Sequence, residues 1–171
     1  MDKTKKALKE WNATIEALGE GKQTILIRTY GTHINEFLLY PTNHYALKEG
    51  FLNSFKDDFK PFVEKNAIST MENNQVEIKY FARVEKIVEK IPYHIDYLDD
   101  FFVWTKEHVR SYLKRKKAFI WVLRVYKLKN HVRVDPAVGI KYVNLNESIS
   151  LKGLDPVMDN DQFKEISGKI I

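Results

Sequence analysis

Residues 75–91 read QVEIKYFARVEKIVEKI. Val76, Ile78, Tyr80, Ala82 and Val84 share one parity, and then Ile87 and Ile91 take the other. A two-residue repeat is what a strand with a buried face requires. A change of parity inside one strand requires an extra residue, which puts a bulge near Lys86, and a bulged long strand bends and twists. The stretch therefore predicts an α+β domain built on a small curled or barrel-like mixed sheet.

The neighbouring segments fit around that strand. Downstream, Thr105 has the chemistry of an N-cap for a helix over 106–116. Val109 and Leu113 fall on its inward side, while Lys106, Arg110, Lys114 and Lys117 recur at i, i+4, i+8 and i+11 as a basic stripe. AFIWVLRVYKL, residues 118–128, is apolar on both faces, as a central strand should be. Weaker strands are expected at 142–145 and 149–151, and DPVMDNDQFKEISGK reads as a closing helix capped by Asp159 or Asp161. Upstream, residues 47–66 place Phe51, Phe55, Phe59 and Phe62 on one stripe of a helix that Pro61 should end or bend. QTILIRTY and EFLLYP read as a hairpin turning around Gly31. KKALKEWNATIEALGEGK supports both periods: Leu8, Trp11, Ile15 and Leu18 are spaced as in a helix, and Trp11, Ala13, Ile15 and Ala17 alternate as in a strand. Its composition and the stop at Gly19 and Gly21 favour the helix. No repeat or linker divides the chain, so one domain over residues 1–171 is expected, with peripheral helices and frayed ends at 1–5 and 168–171.

A chain of 171 residues buries roughly 70% of its unfolded surface without a staple. The absence of cysteine removes thiolate metal sites, cysteine nucleophiles and disulfides, and fits a reducing compartment. MDKTKKALKEW lacks the apolar run of a signal peptide, and AFIWVL is too short to cross a bilayer, so a cytoplasmic protein without membrane contact is expected.

Charge is unevenly spread. Between Lys106 and Arg133 ten cations stand against Glu107 alone, giving that window +9, whereas the whole chain is +5 and the remainder therefore −4. A local positive field beside Phe119, Trp121 and Tyr126 suits a nucleic acid, whose phosphates take lysine and arginine and whose bases stack on rings. A solvated helix docked on a core strand is the alternative. Arg124, inside an apolar strand, needs a partner: an acid such as Asp99 or Asp100, or a ligand's phosphate or base edge. YPTNHY, residues 40–45, crowds polar and aromatic groups at a strand end, either as a turn or as a pocket wall. The nucleic-acid candidates are thus Lys106, Arg110, Lys114, Lys117 and Arg124. The pocket candidates are Tyr40, Thr42, His44, Trp104, Thr105 and Trp121.

The pattern Glu77-Ile-Lys79, with Asp57 or Asp58 upstream, has the outline of a metal-dependent nuclease. Histidines 33, 44, 94, 108 and 131 lack metal-ligand spacing, and neither a nucleophile elbow nor a phosphate-binding glycine loop is present. No metal or cofactor is expected, and a non-enzymatic nucleic-acid-binding domain is the leading reading. The nuclease and a protein-interaction module using the basic face are the alternatives.

ALKEW at 7–11, EALGEGKQTILIR at 16–28, FLLYPT at 37–42, VWTKEHV at 103–109, VLRVYKL at 122–128 and LDPVMDNDQF at 154–163 resemble, in this order, the prokaryotic family called domain of unknown function 1802. Relatives fused to restriction-endonuclease-like domains imply nucleic-acid or defence work. Thr29-Tyr30-Gly31-Thr32 departs from the lysine and paired glycines usual there, and Arg115-Lys116-Lys117 replaces a tryptophan-lysine-proline. If the glycine turn shapes a ligand pocket, the departure puts that pocket in doubt. The order of curled strand, WT-capped basic helix, LRVYKL strand and final P-V turn is also similar to PUA-like barrels of the EVE type. That resemblance implies a reader of modified or flipped bases.

Overall fold

The computed structural model describes residues 2–69 and 71–170. Its strands are β1 (Lys3–Trp11), β2 (Ile25–Arg28), β3 (Glu36–Thr42), β4 (Met71–Glu72), β5 (Gln75–Lys90), β6 (Ala118–Val134), β7 (Tyr142–Ser150) and β8 (Asp155–Pro156). The helices are α1 (Asn12–Gly19), α2 (Lys60–Lys65), α3 (Lys106–Leu113) and α4 (Asn160–Lys169). The strands make one mixed sheet in the order β2-β6-β5-β3-β1-β7, with β4 added to β5 and β8 to β6. Among the described residues only β1 and β3 run parallel; the other pairs are antiparallel.

The parity switch behaves as the sequence predicts. β5 follows β6 along its whole length, and the register slips between Val84 and Lys86, with a second slip between Ile78 and Tyr80. These bulges curl the sheet so that both its faces are buried. Leu8, Phe37, Leu39, Ala82, Val122 and Leu123 belong to the larger core, shared with the helices. The alternate residues Ala7, Leu38 and Phe81 join Val143, Leu145 and Ile149 in a second core inside the curl. The chain is therefore an α+β fold around a small curled mixed sheet, and α1 is buried along its entire length.

Several expectations need correction. The first segment is neither helix nor strand throughout: it is strand to Trp11 and helix from Asn12, because β1 is claimed by β3 on one side and β7 on the other. Pairing of that kind overrides helix propensity. β2 and β3 do not form a hairpin, since β2 pairs with β6 and β3 with β1 and β5. The span 47–66 is not one helix. Gly50 takes φ 75°, and the chain then makes 3₁₀ turns at Phe51–Ser54 and Asp57–Phe59 before α2. Pro61 sits in the first turn of α2, where its missing N–H costs nothing, and so opens this helix rather than ending it. Of the four phenylalanines Phe55 is fully buried, and the other three pack around the core. Finally, α3 stops at Leu113, and Lys114 and Arg115 both turn left-handed at φ 49° and 65°.

Caps and partners elsewhere follow the sequence. The Thr105 side chain accepts from His108 N at 3.0 Å, and Asp159 with Gln162 forms a capping box on α4. Residues 142–150 are one strand instead of two. Among the described residues no helix is long and apolar enough to cross a membrane.

Candidate functional site

β1 ends at Trp11 beside Thr42 of β3, and close to this point lie the end of β2, the start of α3 and the loop that leads into β7. Between them is a cavity of about 400 Å³, within the usual range for small-ligand sites. Its floor carries a buried ion pair: Arg28 donates through Nη2 to Glu10 Oε2. The other Glu10 oxygen accepts from Trp11 N at 2.9 Å, and Arg28 Nη1 donates to Ile27 O at 3.1 Å. Burial works against the Arg28 charge, but Glu10, Tyr30 and Tyr112 more than compensate and raise its pKa. The guanidinium is thus a permanent cation with N–H donors to spare.

Aromatic rings make the walls. Trp11 stacks on Tyr45 with centroids 4.6 Å apart and lies 5.4 Å from the His108 ring. Tyr45 is held by accepting from Ala13 N at 3.1 Å and donating to Ala67 O at 2.7 Å, and burial pushes its pKa up to about 12. Tyr30 and Tyr112 line the cavity from other sides, and the Lys141 ammonium lies 3.6 Å over the Tyr30 ring. Burial lowers the pKa of His108, with Glu10 pulling it back only in part, so the imidazole is neutral near pH 7. Trp104 also lines the cavity, and its indole N–H is buried without a partner among the described residues. Lys9 and Lys141 complete the rim.

Of the pocket candidates read from the sequence, Thr42 and Trp104 line this cavity. Thr105 is the cap of α3. Trp121 is fully buried behind Tyr30, donating from Nε1 to Tyr30 O at 3.0 Å. Tyr40 is buried in the second core and its hydroxyl accepts from Ala137 N at 3.1 Å. His44 is exposed at the start of a 3₁₀ turn.

The basic candidates do not make a single stripe, because α3 ends before Lys114 and Lys117. Arg110 donates to both Asp96 oxygens at 2.9 and 3.0 Å, and Lys117 lies 3.9 Å from Glu89. Lys106 is half-buried and Lys114 exposed. Arg124 has internal partners, but they are not Asp99 or Asp100. It donates to Met158 O at 2.8 Å and Asn160 Oδ1 at 3.1 Å, and lies 4.9 Å from the Phe163 ring. Those groups belong to α4 and the turn before it, so Arg124 docks the C-terminal helix.

The acidic candidates are dispersed as well. Glu77 is 2.7 Å from His131 Nδ1, Lys79 donates to Glu16 Oε1 at 3.1 Å, and Asp57 pairs with Lys60 at 2.7 Å. Among the described residues no group of three or more acids and histidines is placed to hold a metal. Sequence reasoning missed Glu10, Trp11, Arg28, Tyr30, His108, Tyr112 and Lys141. Little in the sequence signals them: Glu10 stands in a lysine-rich segment and Arg28 at the end of the short strand β2, where neither charge calls for a partner. Tyr30 belongs to the segment where the family pattern breaks, and it is a wall of the cavity.

Among solved structures, the chain overlays the ASCH protein of Zymomonas mobilis at 16% identity, with 96% of this chain and 92% of that one covered and a TM-score of 0.44. A tyrosine-to-phenylalanine variant of that protein gives 12%, 95%, 96% and 0.45, and a serine-to-alanine variant 13%, 98%, 98% and 0.45. No curated protein matches the chain. The family model described as Domain of unknown function (DUF1802) matches residues 7–169, and the chain belongs to that family.

Proposed function

We propose that this chain is a cytoplasmic, non-enzymatic nucleic-acid-binding domain whose pocket receives an unstacked base, modified or unmodified. The observation that carries the reading is the combination in one cavity of aromatic walls with the Arg28–Glu10 pair. Rings of Trp11, Tyr30 and Tyr112 offer π-faces to a base. Arg28 adds donors and Glu10 an acceptor for its polar edge. The cations Lys9 and Lys141 on the rim, and the exposed Lys114 two residues beyond Tyr112, suit the phosphates on either side. A cavity of about 400 Å³ leaves room for a substituent on the base. The resemblance to relatives fused to restriction enzymes extends the reading to a reader of modified bases that works beside restriction or defence functions.

The test is titration of the protein's tryptophan fluorescence with single-stranded DNA and RNA oligonucleotides, with and without modified bases. Tyr112 is 40% exposed, so Tyr112→Ala should leave stability nearly unchanged. It should weaken binding by about 1–3 kcal/mol, the value of one stacked base. Failure of every oligonucleotide to bind would overturn the proposal.

A further inference from the structure

Beside the pocket stands the loop DPAVGIK, residues 135–141, between β6 and β7. Both of its ends are fastened. Ala137 N donates to the buried Tyr40 hydroxyl at 3.1 Å, and Lys141 O accepts from Lys9 N at 2.8 Å. Asp135 accepts from Gln75 at 3.3 Å and from Asn146 at 3.2 Å. Gly139 has φ 148°, and a Cβ there would lie 2.7 Å from Val143, so only glycine fits the turn. Between these fixings the tip carries Val138 and Ile140 into solvent at 101% and 91% exposure. Two branched apolar side chains held outward on one short loop differ from a hydrophobe stranded by chance, since a slack loop could fold them onto the second core. Ile140 is also part of the pocket lining, together with Lys9 and Lys141.

We propose that Val138 and Ile140 form a wedge that enters the base stack of a duplex beside the pocket and holds open the gap left by the base inside it. The inference rests on the reading of the pocket as a base site. Apolar side chains of this kind part base steps at the cost of unstacking, and the contacts that follow offset it. The cations Lys9 and Lys141 of the same lining complement the phosphates of the parted step, which favours nucleic acid over an apolar protein surface.

The experiment compares the wild-type chain with a Val138→Ser variant, a residue of the tip that does not line the pocket. Ligands are a single strand, the matched duplex, and the same duplex with a mismatch at the target base, with 2-aminopurine placed next to that base. The wild type should bind all three and raise the 2-aminopurine fluorescence of the matched duplex. The variant should keep single-strand affinity, lose about tenfold or more on the matched duplex, and recover on the mismatch, where unpairing is already done. Wild-type binding to single strands but to no duplex would overturn the wedge and leave the pocket reading standing. Equal losses on all three ligands, or none, would do the same. Absence of any binding would remove the pocket reading and the wedge with it. Sedimentation of both proteins covers the remaining case: dissociation of a wild-type dimer by Val138→Ser would make the tip a self-contact and overturn the wedge.

Discussion

Glu10 and Arg28 come from different strands and meet where each has little access to water, with side chains 8% and 13% exposed. A carboxylate in that position depends on its partner, because an unpaired buried charge loses hydration without replacement. Arg28→Met should therefore destabilise the fold by about 3–5 kcal/mol in urea unfolding, and a second change, Glu10→Leu, should recover much of it. Retention of full stability by the single variant would mean that Glu10 is solvated by some other route. Neither residue was legible as part of a site. Glu10 lies in a segment whose composition suggests a surface helix, where a glutamate needs no explanation. Arg28 lies at the end of a short apolar strand, where a charge looks like the exit to solvent. Only the crossing of β1, β2 and α3 brings the two together, and that is a tertiary fact with no local period. Trp104 and Thr42 were legible because each adjoins a local signal, a helix cap in one case and a proline-stiffened strand end in the other.

Elements with a strong internal period are the ones the sequence reveals. The parity switch in β5, the cap of α3 and the capping box of α4 all follow from residues within a few positions of one another. The β1–α1 boundary and the partners of β2 depend on which strands compete for an edge, and no local pattern records that competition. The 47–66 span fails for a different reason: four phenylalanines at helical spacing are also compatible with successive tight turns, once glycine and proline punctuate them. Arg124 links the two classes. Its need for a partner follows from its place in an apolar strand, but the partner lies 34 residues away in the approach to α4. Since its acceptors are a carbonyl and an amide rather than a carboxylate, Arg124→Met should cost about 1–3 kcal/mol, less than the loss of a buried ion pair. Amide hydrogen exchange should show the effect first in α4, whose N-terminal turn Arg124 holds. Protection unchanged in α4 but reduced around Asp99 would return the arginine to the acidic partner expected from sequence.

At the scale of the whole molecule, the charge asymmetry seen in the sequence is partly neutralised by folding. Arg110 faces Asp96 and Arg133 pairs with Glu72, so these do not contribute to a free field, whereas Arg124 keeps its charge but donates to Met158 O and Asn160 Oδ1. The turn from Lys114 to Lys117 remains exposed, and among the described residues only Lys117 of this turn has an acid nearby, Glu89 at 3.9 Å. Two of its cations sit in left-handed backbone, a conformation that costs free energy for residues with a Cβ and concentrates where function over-determines the chain. The turn begins two residues after Tyr112, the exposed wall of the pocket, so a strand whose base enters the cavity would lay its backbone across it. The two parts should separate in a salt series. Four contacts, from Lys106, Lys114, Arg115 and Lys116, predict a slope of about −3 in log affinity against log salt on single strands. Replacing Lys114, Arg115 and Lys116 by glutamine should reduce that slope by about 2 and leave thermal stability unchanged. Tyr112→Ala should instead lower affinity equally at every salt concentration, because stacking releases no counterions. A glutamine variant with an unaltered slope would remove the turn from the phosphate path, and the binding face would then have to be sought around Lys9 and Lys141 alone.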